Sequence, residues 1–341
     1  MDPSAEFSVS VVVTHWRRKQ RLFELLDYLL AWLPRVPGGS VELVVVDSAS
    51  EESAEVAEVL TDRQSRLALQ QPEFPFRFSL LPENGGPSLA RRHGLQLARG
   101  QYIQFLDDDD WIMPEKISRQ FEWAECHHFP DVVASRWALA PAEAGIGTTV
   151  SERFQDPDFS FPQSLAVLDV FTHLSACLLK RQALAEVQAF AEGYWLVEDV
   201  HLLLKLISKG ACLMVAPSPD PLFCYRMSPT DRSLSRATDR GPFAQACLRN
   251  LTFAETFLRP VDGLAQRDRS RLASLYGQHL SYLHDHAPDQ FRSVLQHVYE
   301  LDASWLPHAP MLQRVTRLVG YRLAERLRAS LTKLRGRFRA R

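Results

Sequence analysis

Tyr102-Ile103-Gln104-Phe105-Leu106-Asp107-Asp108-Asp109-Asp110 joins a short, mostly apolar run directly to four consecutive carboxylates. The run Tyr102 to Leu106 predicts a buried strand of a parallel sheet. The acids then fall at the strand's carboxyl end, where open α/β sheets bind their ligands. Adjacent like charges repel, and a divalent cation such as Mg²⁺ or Mn²⁺, which favours oxygen ligands, would hold such a cluster together. A solvated acidic turn capping the helix that opens near Pro114-Glu115 accounts for the same residues. The acids alone do not separate these readings, so the chain around them has to.

Upstream, strand and helix patterns alternate. Ser8 to Thr14 is a β-branched run, and a helical pattern follows from Arg18 to Leu33, stopped by Pro34, Pro37 and Gly38-Gly39. Val41 to Val46 is the second strand, Glu51 to Leu69 the second helix, Phe76 to Leu81 the third strand, and Ser88 to Arg99 the third helix, with Gly100 at its C′ position. This alternation predicts an α/β fold with a doubly wound, mostly parallel sheet flanked by helices. In such a sheet Thr14, Asp47 and Asp107 to Asp110 converge on one crevice. Asp47 suits a base N–H or a ribose hydroxyl. The turn Glu83-Asn84-Gly85-Gly86-Pro87-Ser88 allows close backbone approach to a ligand, with Ser88 placed to cap the next helix. Arg91-Arg92-His93 adds cations beside the acids; a diphosphate bridged by a metal would satisfy both signs, whereas each arginine alone reads as a surface residue.

From Ser8 to about Ser235 the chain resembles the family 2 glycosyltransferases of the GT-A, Rossmann-like fold, which are inverting and use nucleotide-diphosphate sugars. The resemblance is carried by Val13-Thr14-His15-Trp16-Arg17 at the first strand end, Val46-Asp47-Ser48-Ala49-Ser50 at the second, Asn84-Gly85-Gly86 with Ala90-Arg91-Arg92-His93-Gly94, and Phe105 to Asp110. It implies that Thr14, Asp47, Asn84, Arg91 and Asp107 contact the nucleotide. It also implies that Asp107 and Asp109 form the D-x-D pair that holds Mn²⁺ or Mg²⁺. His15, Trp16, Ser48 and Arg92 depart from the family pattern, which bears on base and sugar identity; a UDP-sugar is the favoured donor, ahead of a dTDP-sugar.

The family resemblance also places an acidic pair late in the domain. Glu198-Asp199 fits it, with Asp199 as general base, Glu198 as an acceptor or diphosphate contact, and the helix Val200 to Lys209 following. A helix N-terminus lowers a carboxylate pKa, so Asp199 is expected to be an ionised, mild base; a plain helix cap is the competing reading. Trp195 would stack on an acceptor sugar or serve as a core aromatic. Leu222 to Ser235 resembles the family segment that closes over the diphosphate, with Arg226 and Arg232 as contacts and Ser228 where histidine is common.

Charged residues make up 23% and hydrophobic residues 46% of the 341-residue chain, as in an ordinary globular protein. The five cysteines lack metal-ligand spacing, and Cys126-His127-His128 has no second pair nearby for a zinc site. The polar N-terminus predicts no signal peptide, and no long apolar run predicts a membrane span, so a cytoplasmic location is expected. The expected division is a glycosyltransferase domain over 1–240 and a helical region over 241–341. Arg314 to Arg341 holds ten Lys or Arg and one acid, Glu325, with Leu318, Val319, Leu323, Leu327, Leu331, Leu334 and Phe338 recurring at helical spacing. Such a basic amphipathic helix suits the anionic inner face of a membrane, or else packs on the body. Nucleic acid is a poorer fit, because the tail lacks interleaved aromatics. The expected function is metal-dependent transfer of a sugar to a glycan or lipid-linked acceptor in cell-surface polysaccharide synthesis. A nucleotide-sugar-binding protein without turnover and a Mg²⁺-dependent phosphotransferase are the alternatives.

Overall fold

The structure, a computed structural model, describes residues 7–36, 41–148, 150, 154–190, 196–227, 241–258 and 263–339. The chain divides into two compact units, Met1–Gln163 with Val170–Ser233, and Ser164–Asp169 with Leu234–Arg341.

The first unit opens with β1 (Phe7–His15), α1 (Lys19–Leu30), β2 (Val41–Asp47), α2 (Ser53–Gln70), β3 (Phe76–Leu80), α3 (Gly86–Leu97) and β4 (Gly100–Asp107). It continues through β5 (Trp111–Ile112), α4 (Lys116–Cys126), β6 (Val132–Ala134), β7 (Trp137–Ala140) and β8 (Phe154–Gln155). After α5 (Gln163–Asp169), which belongs largely to the second unit, come β9 (Cys177–Lys180), α6 (Arg181–Glu186), α7 (Glu198–Ser208), β10 (Leu213–Val215) and β11 (Phe223–Arg226).

Seven strands form one sheet in the order β10-β6-β9-β4-β1-β2-β3. All its pairings are parallel except those of β9, which runs antiparallel to both β4 and β6. A second sheet orders β5-β11-β7-β8. Every residue of β2 is buried, as expected for a parallel strand covered on both faces. On α1, Leu22, Leu25, Leu26 and Leu29 recur at three- and four-residue spacing and pack into the same core as Val9, Val11 and Val13 of β1.

The third helix differs from its expected limits. It starts at Gly86, with Pro87 in its first turn, and stops at Leu97, so Ser88 lies inside it. Ala98 is extended and Gly100 is the first residue of β4, because the chain goes straight into the strand. Inside α3, Gly94 meets the sheet closely: a Cβ there would lie 2.3 Å from Val12 Cγ1 and 3.4 Å from Val46 Cγ2.

The second unit is helical where described. It comprises Ser164–Asp169 of α5, then α8 (Gly241–Glu255), α9 (Gln266–Gly277), α10 (Leu280–His286), α11 (Pro288–Leu301), α12 (Pro310–Val319) and α13 (Tyr321–Arg339). Leu165, Leu251, Leu272, Leu280, Leu295, Val298, Trp305 and Tyr321 share its core. The basic C-terminal segment is two helices rather than one, broken at Gly320, whose φ is 79°. Tyr321, Ala324 and Glu325 are buried, whereas Met311, Leu318, Val319, Leu323, Leu327 and Leu331 are exposed. Glu325 accepts from Tyr321 Oη at 2.6 Å and Ser281 Oγ at 2.5 Å and pairs with Arg328, which also reaches Asp285 at 2.7 Å. Among the described residues no helix is long and apolar enough to cross a membrane.

Gly94→Ala should force the β-branched Val12 side chain to move within a packed sheet. Urea unfolding is expected to show a loss of about 1–3 kcal/mol, the usual range for overpacking.

Candidate active site

Strand register brings the site together. Thr14 of β1 lies opposite Asp107 of β4, and His15 lies opposite Asp47 of β2. Thr14 Oγ1 donates to Asp107 Oδ1 at 2.9 Å. Arg91, buried on α3, donates from Nη2 to both Asp107 oxygens at 3.0 and 3.1 Å and from Nη1 to Glu198 Oε1 at 2.6 Å. One guanidinium thus ties the end of β4 to the first turn of α7. Burial works to raise the Asp107 carboxyl, but Arg91, His173 and the Thr14 hydroxyl together hold it below its ordinary value.

The other three acids point to different neighbours. Asp108 is buried against His15, with Nδ1 to Oδ2 at 2.6 Å, and Arg18 reaches its Oδ1 at 2.6 Å. Asp109 pairs with Arg18. Burial pushes Asp109 up to about 7, with Asp108 and Asp107 adding to the rise and Arg18 opposing it. Asp110 Oδ1 accepts from the Arg226 backbone N–H at 2.9 Å, and its buried Oδ2 has no hydrogen-bond partner among the described residues. Burial, reinforced by Asp109 and Asp107, raises this carboxyl well above its ordinary value.

Asp107, Asp110 and His173 each offer a ligand atom within 4.8 Å of the others, a metal-competent group among the described residues. The orphaned Asp110 oxygen and the carboxylate-rich surroundings fit a hard divalent cation. His173 rests among Phe223, Tyr225 and Trp137, with ring centroids 4.8, 5.2 and 6.2 Å away. Burial lowers its pKa to about 4, so it is neutral at pH 7, and its Nδ1 accepts from Ser175 N–H at 3.3 Å. The segment after His173 is held from behind. Gln104 of β4 donates to Ser175 O at 2.9 Å, Gln120 of α4 donates to Ala176 O at 3.0 Å, and the buried Lys116 amine donates to both glutamines. Burial brings Lys116 down to about 7.

Asp47 is fully buried. Its oxygens accept from Ser50 N at 3.1 Å, from Ser50 Oγ at 2.5 Å and from Ser53 Oγ, which fixes the turn after β2. Asn84 Oδ1 accepts from Ser48 Oγ at 3.2 Å and Gly86 N at 2.9 Å, with Gly86 at a left-handed φ of 77° that its missing Cβ allows. Glu198 and Asp199 open α7. The preceding Val197 has φ 59°, a backbone conformation that β-branched residues rarely adopt and that costs on the order of 1–3 kcal/mol. Asp199 departs from the ionised, mild base expected of a helix N-terminus. Burial and then the Glu198 charge raise it to about 7, and these outweigh the helix end and Arg91. Arg226 lies over the Trp111 ring at 5.1 Å, and its buried Nε and Nη1 have no partner among the described residues. Trp195, Ser228 and Arg232 lie outside the described residues.

Sequence reasoning missed His173 and Arg18 as members of this cluster, and it placed Asp110 in the crevice without assigning it to the metal-competent group. Asp110 was visible as part of the acid run and Arg18 as part of Arg17-Arg18-Lys19. Nothing in local spacing links His173 to residues so far upstream.

Residues 10–187 match Glycosyl transferase family 2. Over 284 residues the chain is 35% identical to the succinoglycan biosynthesis protein ExoO of Rhizobium meliloti, covering 81% of this chain and 75% of that one. The chain matches about a third of the length of some other relatives, 32% of an uncharacterized glycosyltransferase from Haemophilus influenzae and 30% of the uncharacterized glycosyltransferase EpsJ from Bacillus subtilis. Among solved structures, residues 1–349 of S. aureus TarS in complex with UDP-GlcNAc superpose with a TM-score of 0.63 at 17% identity, covering 95% of this chain and 92% of that one. The Pyrobaculum calidifontis mannosyltransferase PcManGT in complex with GDP-Man and Mn²⁺ gives 0.51 at 19% identity, covering 96% and 88%. The α/β architecture, with its mostly parallel sheet and C-terminal helices, is that of these GT-A neighbours. The strand-end acids, the Arg91 bridge and the sequence match over more than half the chain converge on one conclusion: the chain belongs to glycosyl transferase family 2.

Proposed function

We propose that this protein is an inverting, metal-dependent glycosyltransferase that moves a sugar from a nucleotide diphosphate, UDP by preference, to a glycan or lipid-linked hydroxyl in cell-surface polysaccharide synthesis. The observation that carries this reading is the buried Arg91 guanidinium joining Asp107 to Glu198. It sets the strand-end acids, which suit a metal and a nucleotide, beside the helix that bears a second acidic pair. Succinoglycan synthesis in the ExoO relative and the nucleotide-sugar complexes of the structural neighbours support the same substrate class.

Asp107 and Asp109 would hold a divalent cation, together with Asp110 and His173, which form a ligand-competent group with Asp107; when bound, the cation supplies Lewis-acid neutralisation of the departing diphosphate. The buried Arg226 Nε and Nη1, without a hydrogen-bond partner among the described residues, suit anionic oxygens of that diphosphate. Asp199, raised to about 7, ionises near neutral pH and then takes the proton of the acceptor hydroxyl. Glu198 is committed to Arg91 and keeps the α7 end in place. Thr14 and Arg91 orient Asp107, and Asp47 and Asn84 shape the turns around the nucleotide. A phosphotransferase reading leaves the Glu198-Asp199 pair without a role.

The C-terminal helices support a location on an anionic membrane surface. α13 packs through Tyr321, Ala324 and Glu325 yet leaves Leu323, Leu327 and Leu331 exposed beside Arg322 and Arg326.

Four measurements test these assignments. A thermal-shift panel of nucleotide sugars should give its largest stabilisation with one UDP-sugar, and only with Mn²⁺ or Mg²⁺ present. No shift with any nucleotide sugar would remove the donor assignment. Asp199→Asn should lower kcat by about 10² or more with donor affinity nearly unchanged. In the parent protein kcat/KM should fall as pH drops through about 7, because the base must be deprotonated; a flat profile from pH 5 to 8 contradicts Asp199 as the base. Full-length protein should co-sediment with anionic vesicles and be released as salt rises, while neutral vesicles leave it in solution.

A further inference from the structure

Arg18 occupies the carboxylate that the proposed function assigns to a divalent cation. The chain leaving β1 turns sharply at Arg17, whose φ is 59°. The turn is pinned by Arg17 N donating to Ser50 Oγ at 2.9 Å and Trp16 N reaching Asp108 Oδ2 at 3.4 Å. This folds Arg18 back over the strand ends. Its guanidinium pairs with Asp109 and reaches Asp108 at 2.6 Å.

The two arginines on the acid run are held differently. The Arg91 side chain is itself buried, 7% exposed, and spans Asp107 and Glu198, so it cannot leave its partners without moving through the packed interior. The Arg18 side chain is 41% exposed and covers the cluster from the solvent side. Its guanidinium can therefore swing into solvent, whereas the Asp108 and Asp109 carboxylates beneath it, 0% and 20% exposed, cannot and need a replacement cation when it leaves. Repulsion among four adjacent acids still demands a cation there.

We propose that Arg18 is a displaceable counter-cation of the acid run: it holds Asp109 while no metal is bound, yields that carboxylate to the incoming divalent cation, and then pairs with the diphosphate of the donor. The proposal rests on Asp109 being a metal ligand, as argued above. A guanidinium on Asp109 competes with the metal, so metal alone binds weakly. Once released, its planar fork of N–H donors matches phosphate oxygens, so a nucleotide diphosphate offers it a second partner. Metal and nucleotide then strengthen one another's binding by the same factor.

The test is Mn²⁺ titration of full-length protein at pH 8, read from the electron paramagnetic resonance signal of free Mn²⁺, without nucleotide and with UDP or GDP. Arg18→Gln should bind Mn²⁺ about fivefold tighter than the parent protein without nucleotide, and the strengthening caused by nucleotide should shrink by a similar factor. Arg17→Gln removes a similarly exposed arginine that pairs with Glu51 instead, and it should leave both values unchanged. Unaltered or weaker Mn²⁺ binding by Arg18→Gln, or an equal change in Arg17→Gln, overturns the proposal; the latter would show a general charge effect. Asp109→Asn separates the two levels of the argument. Parent-like Mn²⁺ binding by that variant would remove Asp109 as a ligand. Loss of Mn²⁺ there, with Arg18→Gln unaltered, refutes the role of Arg18 alone.

Discussion

Electrostatic repulsion among Asp107, Asp108, Asp109 and Asp110 is the constraint on which the first unit is organised. Four carboxylates at one strand end can fold only if each finds a compensating group, and the chain recruits these from separate elements. Thr14 and Arg91 serve Asp107, His15 and Arg18 serve Asp108, Arg18 serves Asp109, and the Arg226 backbone serves Asp110. The compensation is incomplete where the acids crowd most: Asp110 keeps an orphaned oxygen, and Asp109 is raised to about 7. A site left short of positive charge in this way is prepared for a cation. Of the partners, Arg91 has the widest consequence, because its second contact brings Glu198, and with it Asp199, to the same place.

The remaining architecture keeps these groups in register. Largely buried parallel strands carry Thr14, Asp47 and Asp107 to one edge, and α3 lies close on β1 and β2 because Gly94 offers no side chain. Behind the edge, Lys116 is brought down to about 7 by burial and is satisfied by two glutamines, which in turn fasten the segment that follows His173. Such a network tolerates little loss, since each buried polar atom depends on the others.

The helical unit separates two kinds of apolar surface. Its core closes around Leu272, Leu280, Val298 and Trp305, and Tyr321 extends that core to the first turns of α13. The exposed leucines on α12 and α13 take no part in it and lie among arginines. Packing and surface binding were competing readings of the basic tail. In the folded unit one face of α13 packs while another stays exposed, so the two are compatible.

Much of the fold and part of the site were legible in the sequence, because both depend on local pattern. β-branched runs separated by helical periodicity define the parallel core, and the short elements at Thr14, Asp47, Asn84-Gly85-Gly86, Arg91 and Phe105 to Asp110 mark the strand ends at which the candidate site lies. The glutamate and aspartate before a helix likewise stood out at Glu198-Asp199. What tertiary structure alone decided is which groups share space and how burial alters them. His173 reaches the acids through the antiparallel placement of β9 beside β4, a pairing that no spacing rule encodes. Asp199 is raised rather than lowered because desolvation of its carboxyl, reinforced by the Glu198 charge, exceeds the helix effect. The break at Gly320 looked continuous in sequence because the hydrophobic period runs on through it; the glycine's positive φ separates one helix from the next, and Tyr321, directly after it, joins the helical core. Periodicity and charge are properties of neighbours along the chain, whereas desolvation and pairing belong to neighbours in space, and the chemistry of this site is governed by the second kind.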